Sequence, residues 1–186
     1  MAVPNLRQKR FNLKYRRVFL DGHSYFFTLV TYQRNPILIE NIELLRESFK
    51  HVKHQFSFTI DAIVILPDHI HTIVTFEDVK EYPKIIGSLK RYFSSHCDPK
   101  HYQHLIQSHS REVQNYKPIW QKRFYEHTIC DEKDYKIRLD YIHYNPIKHG
   151  LAGKVSDWKY SSFQKFVEKG YYGNEWGAFD ESIDFE

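Results

Sequence analysis

Cysteine is scarce in this chain, and long runs of apolar residues are absent. Only two cysteines occur among its 186 residues, Cys97 and Cys130, and they stand far apart without a CxxC spacing. This usage excludes a disulfide framework and a zinc ribbon, and it favours a reducing compartment such as the cytoplasm. No stretch approaches twenty apolar residues and no signal-peptide pattern opens the sequence, so we expect neither a membrane span nor export.

The N-terminal segment of the chain has no acidic residue, and the C-terminal segment has no basic residue. Residues 1–17 carry six basic residues and no acid, whereas residues 174–186 carry five acids and no base. We therefore divide the chain into a basic N-terminal arm (1–17), one domain (18–166) and an acidic C-terminal tail (167–186). A basic arm suits a polyanionic partner, although two solvated termini would give the same pattern. The net charge of +4 permits a nucleic-acid partner without requiring one.

Hydrophobic periodicity predicts seven elements in the order strand, helix, strand, strand, helix, strand, helix. The strands are predicted at 24–32, 58–66, 69–76 and 124–130, and the helices at 42–52, 79–96 and from 131 or 134 to about 145. Residues 97–118 are polar and lack periodicity, which indicates a loop. The order is the split β-α-β pattern of a ferredoxin-like antiparallel sheet, an α+β fold, with an additional C-terminal helix.

A pair of histidines opens the third predicted strand. His69 and His71 follow a Pro67-Asp68 turn, and side chains at positions i and i+2 of a strand leave the same face. Two convergent neutral imidazoles are ready ligands for a divalent cation. A polar pair on the protein surface would show the same spacing, so the tripeptide alone leaves both interpretations open.

The last predicted helix carries a second candidate group. Tyr141 and Asn145 are four residues apart, so they share one face of a helix. If that face meets the histidine pair, two imidazoles, an amide oxygen and a phenol surround one point. Alternatively, Tyr141 is a core aromatic and Asn145 caps a new turn that begins at Pro146. Periodicity alone favours this second interpretation and does not exclude the first.

Several ordered motifs together are more specific than either pair. From about Tyr15 to Phe163 the chain resembles the single-tyrosine HUH transposases, and most closely the REP-associated tyrosine transposases of bacteria. The matching segments are 66–71 (LPDHIH), 120–127 (WQKRFYEH), 134–135 (DY), 140–150 (DYIHYNPIKHG), 157–158 (DW) and 161–162 (SS).

The resemblance implies an enzyme that cleaves and rejoins single-stranded or hairpin DNA of the REP type. It implies that Tyr141 is the nucleophile and becomes joined to a 5′ phosphate. His69, His71 and Asn145 would hold the divalent cation, Mg²⁺ or Mn²⁺. The resemblance also bears on the oligomeric state. Insertion-sequence relatives work as dimers that share their active sites, whereas the REP-associated proteins are monomeric, so we expect this chain to be a monomer. His127 is a candidate general base, although a histidine packed against the sheet would fit the same position.

Basic side chains near these motifs are the predicted phosphate contacts. They are Arg16, Arg17, Lys90, Arg91, Lys122, Arg123 and Lys148. Two other functions fit some of the same residues. A ferredoxin-like nucleic-acid-binding module without catalysis would use aromatic rings on the sheet and structural histidines. A metal-dependent phosphodiesterase would use water, and Tyr141 would then only pack or donate a hydrogen bond.

Overall fold

The computed structural model describes residues 22–177. The predicted arm, with Arg16 and Arg17, lies outside this range, as do residues 178–186 of the predicted tail. Four strands form one antiparallel sheet in the order β2-β3-β1-β4. They are β1 (Ser24–Val30), β2 (Phe58–Ile65), β3 (His69–Phe76) and β4 (Tyr125–Thr128). Because β3 lies between β1 and β2, this is the split β-α-β sheet that the sequence predicts, and the α+β fold class is confirmed.

Five α-helices accompany the sheet in the described range. They are α1 (Ile42–Lys53), α2 (Tyr82–His96), α3 (His109–Val113), α4 (Glu132–Lys148) and α5 (Phe163–Glu168). The helix predicted to begin at residue 79 begins instead as a 3-10 turn, and the α-helical part starts one residue before Pro83. The predicted loop 97–118 contains α3, which is too short to show periodicity. None of the helices between residues 22 and 177 is long and apolar enough to cross a membrane.

The first face of the sheet carries the larger core. Tyr25, Phe27 and Leu29 alternate along β1 and point to this face, where they meet Ile70 and Val74 of β3. Helices α1 and α2 cover them with apolar side chains spaced three and four residues apart. These are Leu45 and Val52 of α1 and Ile85, Ile86, Leu89 and Phe93 of α2. Two amphipathic helices therefore seal this face against water.

The second face is covered by α4 and the chain that follows it. Phe26, Ile73 and Val64 point to this face and pack with Leu139 and Ile142 of α4. Since both faces of β1 are buried, its sequence is a nearly continuous apolar run and not an alternating one. Helix α4 is therefore a structural layer of the fold as well as the predicted location of the nucleophile.

Helix α4 runs further than the sequence indicates. Asp131 caps its start, with its carboxylate accepting a hydrogen bond from the Asp134 N–H at 2.8 Å. The helix continues through Pro146 to Lys148, so the end predicted at about residue 145 is wrong. A proline removes one backbone donor, but the surrounding packing holds the helix together. Asn145 is consequently a buried helix residue, and its interpretation as the cap of a new turn is wrong.

The segment after α4 returns to β2. Trp158 Nε1 donates to the Ile65 carbonyl at 3.0 Å, and the Ser162 N–H donates to the Ile63 carbonyl at 2.8 Å. Beneath α4, His143 is fully buried, with Nε2 2.9 Å from Ser162 Oγ and Nδ1 3.3 Å from the Tyr172 hydroxyl. Burial lowers the pKa of His143 to about 3. This histidine is therefore neutral wherever the fold is intact near pH 7.

We expect His143 to make stability depend on pH. Its ordinary pKa is 6.5, so between about pH 3 and pH 6.5 the unfolded chain binds a proton that the folded chain does not. Above pH 6.5 this histidine does not lower the free energy of unfolding. As the pH falls below 6.5, the free energy of unfolding decreases by up to about 1.4 kcal/mol per pH unit, because only the unfolded chain takes up the proton. Urea unfolding between pH 4.5 and 7.5 should show a shallower slope for His143→Gln. The exposed His104→Gln variant should keep the wild-type slope, and an unchanged slope in His143→Gln would contradict this account.

Candidate active site

The two histidines lie on the second face of the sheet, where β3 begins. The side chains of His69 and His71 are nearly inaccessible, with residue exposures of 3% and 4%. Their ring centroids are 4.8 Å apart, and the planes are nearly perpendicular. Antiparallel pairing sets Thr28 of β1 opposite His71, and Phe26 stacks on the His71 ring at 5.5 Å. The strand therefore directs both imidazoles into one buried space, as the i and i+2 spacing predicts.

Each histidine has a partner for its Nδ1 atom. His69 Nδ1 lies 2.5 Å from Asp68 Oδ1, and the other carboxylate oxygen of Asp68 accepts from Arg34 Nη1 at 2.9 Å. Partial burial raises the pKa of Asp68, but the hydrogen bonds from His69 and Arg34 outweigh it and leave the pKa below its ordinary value. His71 Nδ1 lies 2.8 Å from Thr28 Oγ1. When each Nδ1 carries the proton, each Nε2 presents a lone pair.

His71 is held in its neutral form. Burial, followed by electrostatic interactions with His69 and His149, lowers its pKa well below the ordinary value. Its Nε2 atom is buried and makes no hydrogen bond with the residues that the structure describes. A neutral imidazole with a free lone pair is the form that binds cations.

One edge of α4 faces this pair. Tyr141, Asn145 and His149 recur every fourth residue, with His149 at the end of the helix. The Tyr141 ring lies 5.0 Å from the His71 ring, and the His149 ring lies 5.1 Å from the His69 ring. Asn145 lies between these two contacts, is fully buried, and its Oδ1 has no hydrogen-bond partner within residues 22–177. The structure thus brings His69, His71 and Tyr141 into contact, with Asn145 one turn beyond Tyr141 on the same edge of the helix.

The donor set fits a divalent cation. Within the described range no three His, Cys, Asp or Glu side chains form a group that could hold a metal ion. The candidate set is different, since it combines two imidazole nitrogens with the amide oxygen of Asn145. A buried polar atom without a partner costs about 1–3 kcal/mol, and His71 Nε2 and Asn145 Oδ1 are two such atoms. A bound cation would satisfy both atoms.

Further groups surround Tyr141. Nζ of Lys148, one of the predicted phosphate contacts, lies 5.3 Å from the centre of the Tyr141 ring, and Phe26 meets that ring edge-on at 5.9 Å. The Arg138 guanidinium lies over the Phe26 ring, 5.6 Å from its centre. Arg138 and His149 could have been found from helical spacing, since they lie three residues before Tyr141 and four after Asn145. The sequence prediction ends the helix before Pro146, which leaves His149 outside it.

The predicted supporting residue His127 interacts with the start of α4. Its Nε2 lies 2.7 Å from Asp134 Oδ2, and Arg138 Nε donates to Asp134 Oδ1 at 3.3 Å. Partial burial raises the pKa of Asp134, but the hydrogen bonds from His127 and the Cys130 N–H outweigh it, and the pKa is lowered. His127 therefore helps to hold α4 against β4, and a role as general base stays a prediction.

The predicted phosphate contacts fall in three places. Lys148 lies beside Tyr141, as described above. Lys90, Arg91 and Lys122 line a groove beside α2. Arg123 is exposed on the segment that enters β4. The first two groups are separate basic surfaces, and Arg16 and Arg17 lie outside the described residues.

Comparisons with known proteins identify the family. The model of the family described as transposase IS200 like matches residues 12–145. A Haemophilus influenzae protein assigned as a REP-associated tyrosine transposase is 40% identical over 168 residues, which cover 88% of this chain and 93% of that relative. The REP-associated tyrosine transposase of Escherichia coli K12 is 34% identical over 167 residues, covering 89% of this chain and 91% of that protein.

A solved structure agrees with these relatives. It is described as a REP-associated tyrosine transposase bound to a REP hairpin, is 33% identical to this chain and superposes with a TM-score of 0.72. The match covers 91% of this chain and 95% of that one. The chain therefore belongs to the IS200-like tyrosine transposases, a class of enzymes that cleave and join DNA.

Proposed function

We propose that this protein is a metal-dependent transesterase for single-stranded DNA, which cleaves and rejoins REP-type hairpin DNA through a covalent 5′-phosphotyrosine. The observation that carries the proposal is the contact of the Tyr141 ring with His71, beside two buried and unpartnered atoms, His71 Nε2 and Asn145 Oδ1. The REP hairpin bound by the solved relative supports the choice of substrate. A phenol next to a set of cation ligands is what such a reaction requires.

Three side chains would hold the cation in this proposal. They are His69 and His71 through Nε2 and Asn145 through Oδ1, with Mg²⁺ or Mn²⁺ as the ion. Bound there, the cation supplies positive charge to the scissile phosphate. Asp68 and Thr28 keep the two imidazole rings oriented, because the side-chain oxygen of each accepts a hydrogen bond from the Nδ1–H of its histidine.

Tyr141 carries the covalent step. Its hydroxyl oxygen attacks phosphorus and loses its proton, the bond from phosphorus to the 3′ oxygen breaks, and that oxygen takes up a proton. The products are a 5′-phosphotyrosine and a free 3′ hydroxyl. Because the new phosphodiester retains the energy of the old one, a 3′ hydroxyl can reverse the step without ATP. Lys148, beside the Tyr141 ring, adds positive charge where the phosphate would lie.

Replacing the nucleophile should abolish the covalent product. Wild-type protein incubated with Mn²⁺ and a REP-type hairpin labelled at its 3′ end should give a labelled protein band on a denaturing gel. Tyr141→Phe should give none, while its hairpin affinity stays within about twofold because the ring and its packing remain. Tyr144→Phe is the matched control, since Tyr144 packs against Trp176, and it should form the adduct normally.

The same gels separate the alternatives. Cleavage that persists in Tyr141→Phe would identify a nuclease that uses water. Hairpin binding without cleavage by the wild-type protein, with either cation, would identify a binding module. An adduct that survives in Tyr141→Phe would assign the nucleophile to another residue.

Removing the partner of His71 should weaken cation binding. Thr28→Val keeps the shape of the side chain but removes the oxygen next to His71 Nδ1, so the ring is less firmly oriented. We expect the affinity for Mn²⁺ to fall about tenfold or more, measured from the electron paramagnetic resonance signal of free Mn²⁺. Thr75→Val removes a hydroxyl bonded to Ser24 near the far end of β3, and it should leave the affinity for Mn²⁺ unchanged. Equal Mn²⁺ affinities for the two variants would contradict the assigned ligand set.

A monomeric active site is the last part of the proposal. The contacts of His69, His71 and Tyr141 within one chain support this part, as does the position of Asn145 one helical turn from Tyr141, because such a set needs no partner copy. Mixing Tyr141→Phe with His71→Gln should therefore restore no adduct above the level of either variant alone. Recovery towards about a quarter of wild-type activity would indicate a dimer that shares its active sites.

A further inference from the structure

A basic groove of about 430 Å³ lies between α2 and the segment that follows α3. Its lining includes five cationic side chains and no carboxylate. The cations are Lys90, Arg91, Arg111, Lys117 and Lys122. Like charges at close range repel one another, so the groove attracts a small anion.

Lys90 differs in its surroundings from the other two lysines of the groove, which are exposed. It is partly buried, and its Nζ lies 5.6 Å from the centre of the Phe124 ring. Nζ also donates to the Gln121 carbonyl at 2.8 Å. Gln121 is fixed in turn, because its N–H donates to the carbonyl of Val30, the last residue of β1, at 2.9 Å. The amine is therefore held at one place in the groove and does not extend freely into solvent.

Arg111 is fixed beside this amine. Its Nη2 donates at 3.1 Å to the Trp120 carbonyl, which directly precedes the acceptor of Lys90 in the chain. The guanidinium lies 4.4 Å from the centre of the Tyr32 ring and 5.8 Å from that of the exposed Tyr116. An anchored guanidinium binds phosphate oxygens in a defined geometry. The groove thus combines a site for a phosphate group with a neighbouring amine.

The Lys90 amine is partly uncharged near neutral pH. Burial, together with the charge of Arg111, lowers the pKa of Lys90 from 10.5 to about 8. At pH 7.5 about a quarter of these amines are therefore neutral, against about one in a thousand at the ordinary pKa. Desolvation next to a second cation activates a lysine as a nucleophile in this way. With one N–H donated to Gln121, the lone pair of the neutral amine stays free.

We propose that Lys90 is a site of covalent acylation by acyl phosphates, the mixed anhydrides of a carboxylic acid and phosphoric acid. Arg111 and the neighbouring cations bind the phosphate, which places the acyl carbon beside Nζ. Nζ attacks that carbon, and the bond from the carbon to the bridging phosphate oxygen breaks. Phosphate leaves with the electron pair, and the nitrogen gives up a proton. Each acyl phosphate yields one amide and one free phosphate.

Acylation removes a positive charge from the groove, because the amide that forms at Nζ is neutral. Lys90 is also one of the predicted phosphate contacts, so the modification would weaken binding of DNA. That consequence rests on the proposed function. The acylation site follows from the groove alone and is tested without DNA, so a failure of either proposal leaves the other standing.

The test follows acetylation of the full-length protein by acetyl phosphate, with every lysine quantified by peptide mass spectrometry. At pH 7.5 Lys90 should react at least about fivefold faster than Lys122, an exposed lysine of the same groove, and Lys80, an exposed lysine outside it. Inorganic phosphate should slow the reaction of Lys90, because it occupies the site of the phosphate group. The Lys90 rate should rise with pH and level off above about pH 8, where the neutral amine predominates.

Arg111→Gln should lower the Lys90 rate at pH 7.5 at least about threefold, because it removes both the phosphate partner and a charge that favours the neutral amine. The pH at which the rate levels off should rise. Arg46→Gln is the matched control, since Arg46 is an exposed arginine of α1 outside the groove, and it should leave the Lys90 rate unchanged. A second reagent, the N-hydroxysuccinimide ester of acetate, carries no phosphate and should show a smaller preference for Lys90.

Three results would overturn the inference. Lys90 could react no faster than Lys80 and Lys122, which would leave it an ordinary lysine. The preference for Lys90 could be the same with both reagents, which would show that the groove does not recognise the phosphate. Arg111→Gln, with a circular dichroism spectrum like that of the wild type, could keep the full Lys90 rate. If this variant misfolds, inhibition of the wild-type reaction by inorganic phosphate decides the same point, and its absence would overturn the inference.

Discussion

The packing of α4 across the second face of the sheet is the constraint on which the rest of the molecule depends. One edge of the helix buries Leu139 and Ile142 against the sheet, and the adjacent edge aligns Tyr141 and Asn145 with the histidine pair. Each buried aliphatic side chain contributes roughly 2 kcal/mol, so the apolar edge sets the rotation of the helix. Because one residue corresponds to about 100° of rotation, a slip of one position would carry Tyr141 away from His71. Stability and the position of the predicted nucleophile therefore have the same origin.

The polar side chains buried at the start of β3 lower the stability of the fold. His69, His71 and Asn145 occupy buried positions where apolar side chains would pack without penalty, and two of their polar atoms have no partner within the described residues. The protein reduces the cost by placing Asp68 and Thr28 at the Nδ1 atoms and by keeping His71 neutral. Two of the buried polar atoms without a partner in the described range, His71 Nε2 and Asn145 Oδ1, belong to the residues of this candidate site. Unsatisfied polar atoms among neighbouring candidate ligands are typical of a ligand site.

Much of the fold could be predicted because its strands and long helices have clear periodicity. The end of α4 could not, because Pro146 is a local stop signal in the sequence, whereas packing holds the helix together through Pro146 to Lys148. That error concealed His149, the residue that meets His69. The contact of Thr28 with His71 could not be predicted from the sequence either, because it depends on the register of β1 against β3. Likewise Arg111 and Tyr116 belong to a segment without periodicity, and only the folded chain brings them to Lys90.

The two basic surfaces lie in different layers of the protein. The groove belongs to the layer of α2, on the first face of the sheet, whereas Tyr141 and Lys148 belong to α4 on the second. They approach each other only around the end of the sheet where β1 finishes and β3 begins. A stiff duplex cannot turn around the edge of a sheet within a few residues, because its persistence length is about 150 base pairs. Under the proposed function, a DNA strand that contacts both layers is therefore expected to be unpaired where it passes the edge of the sheet.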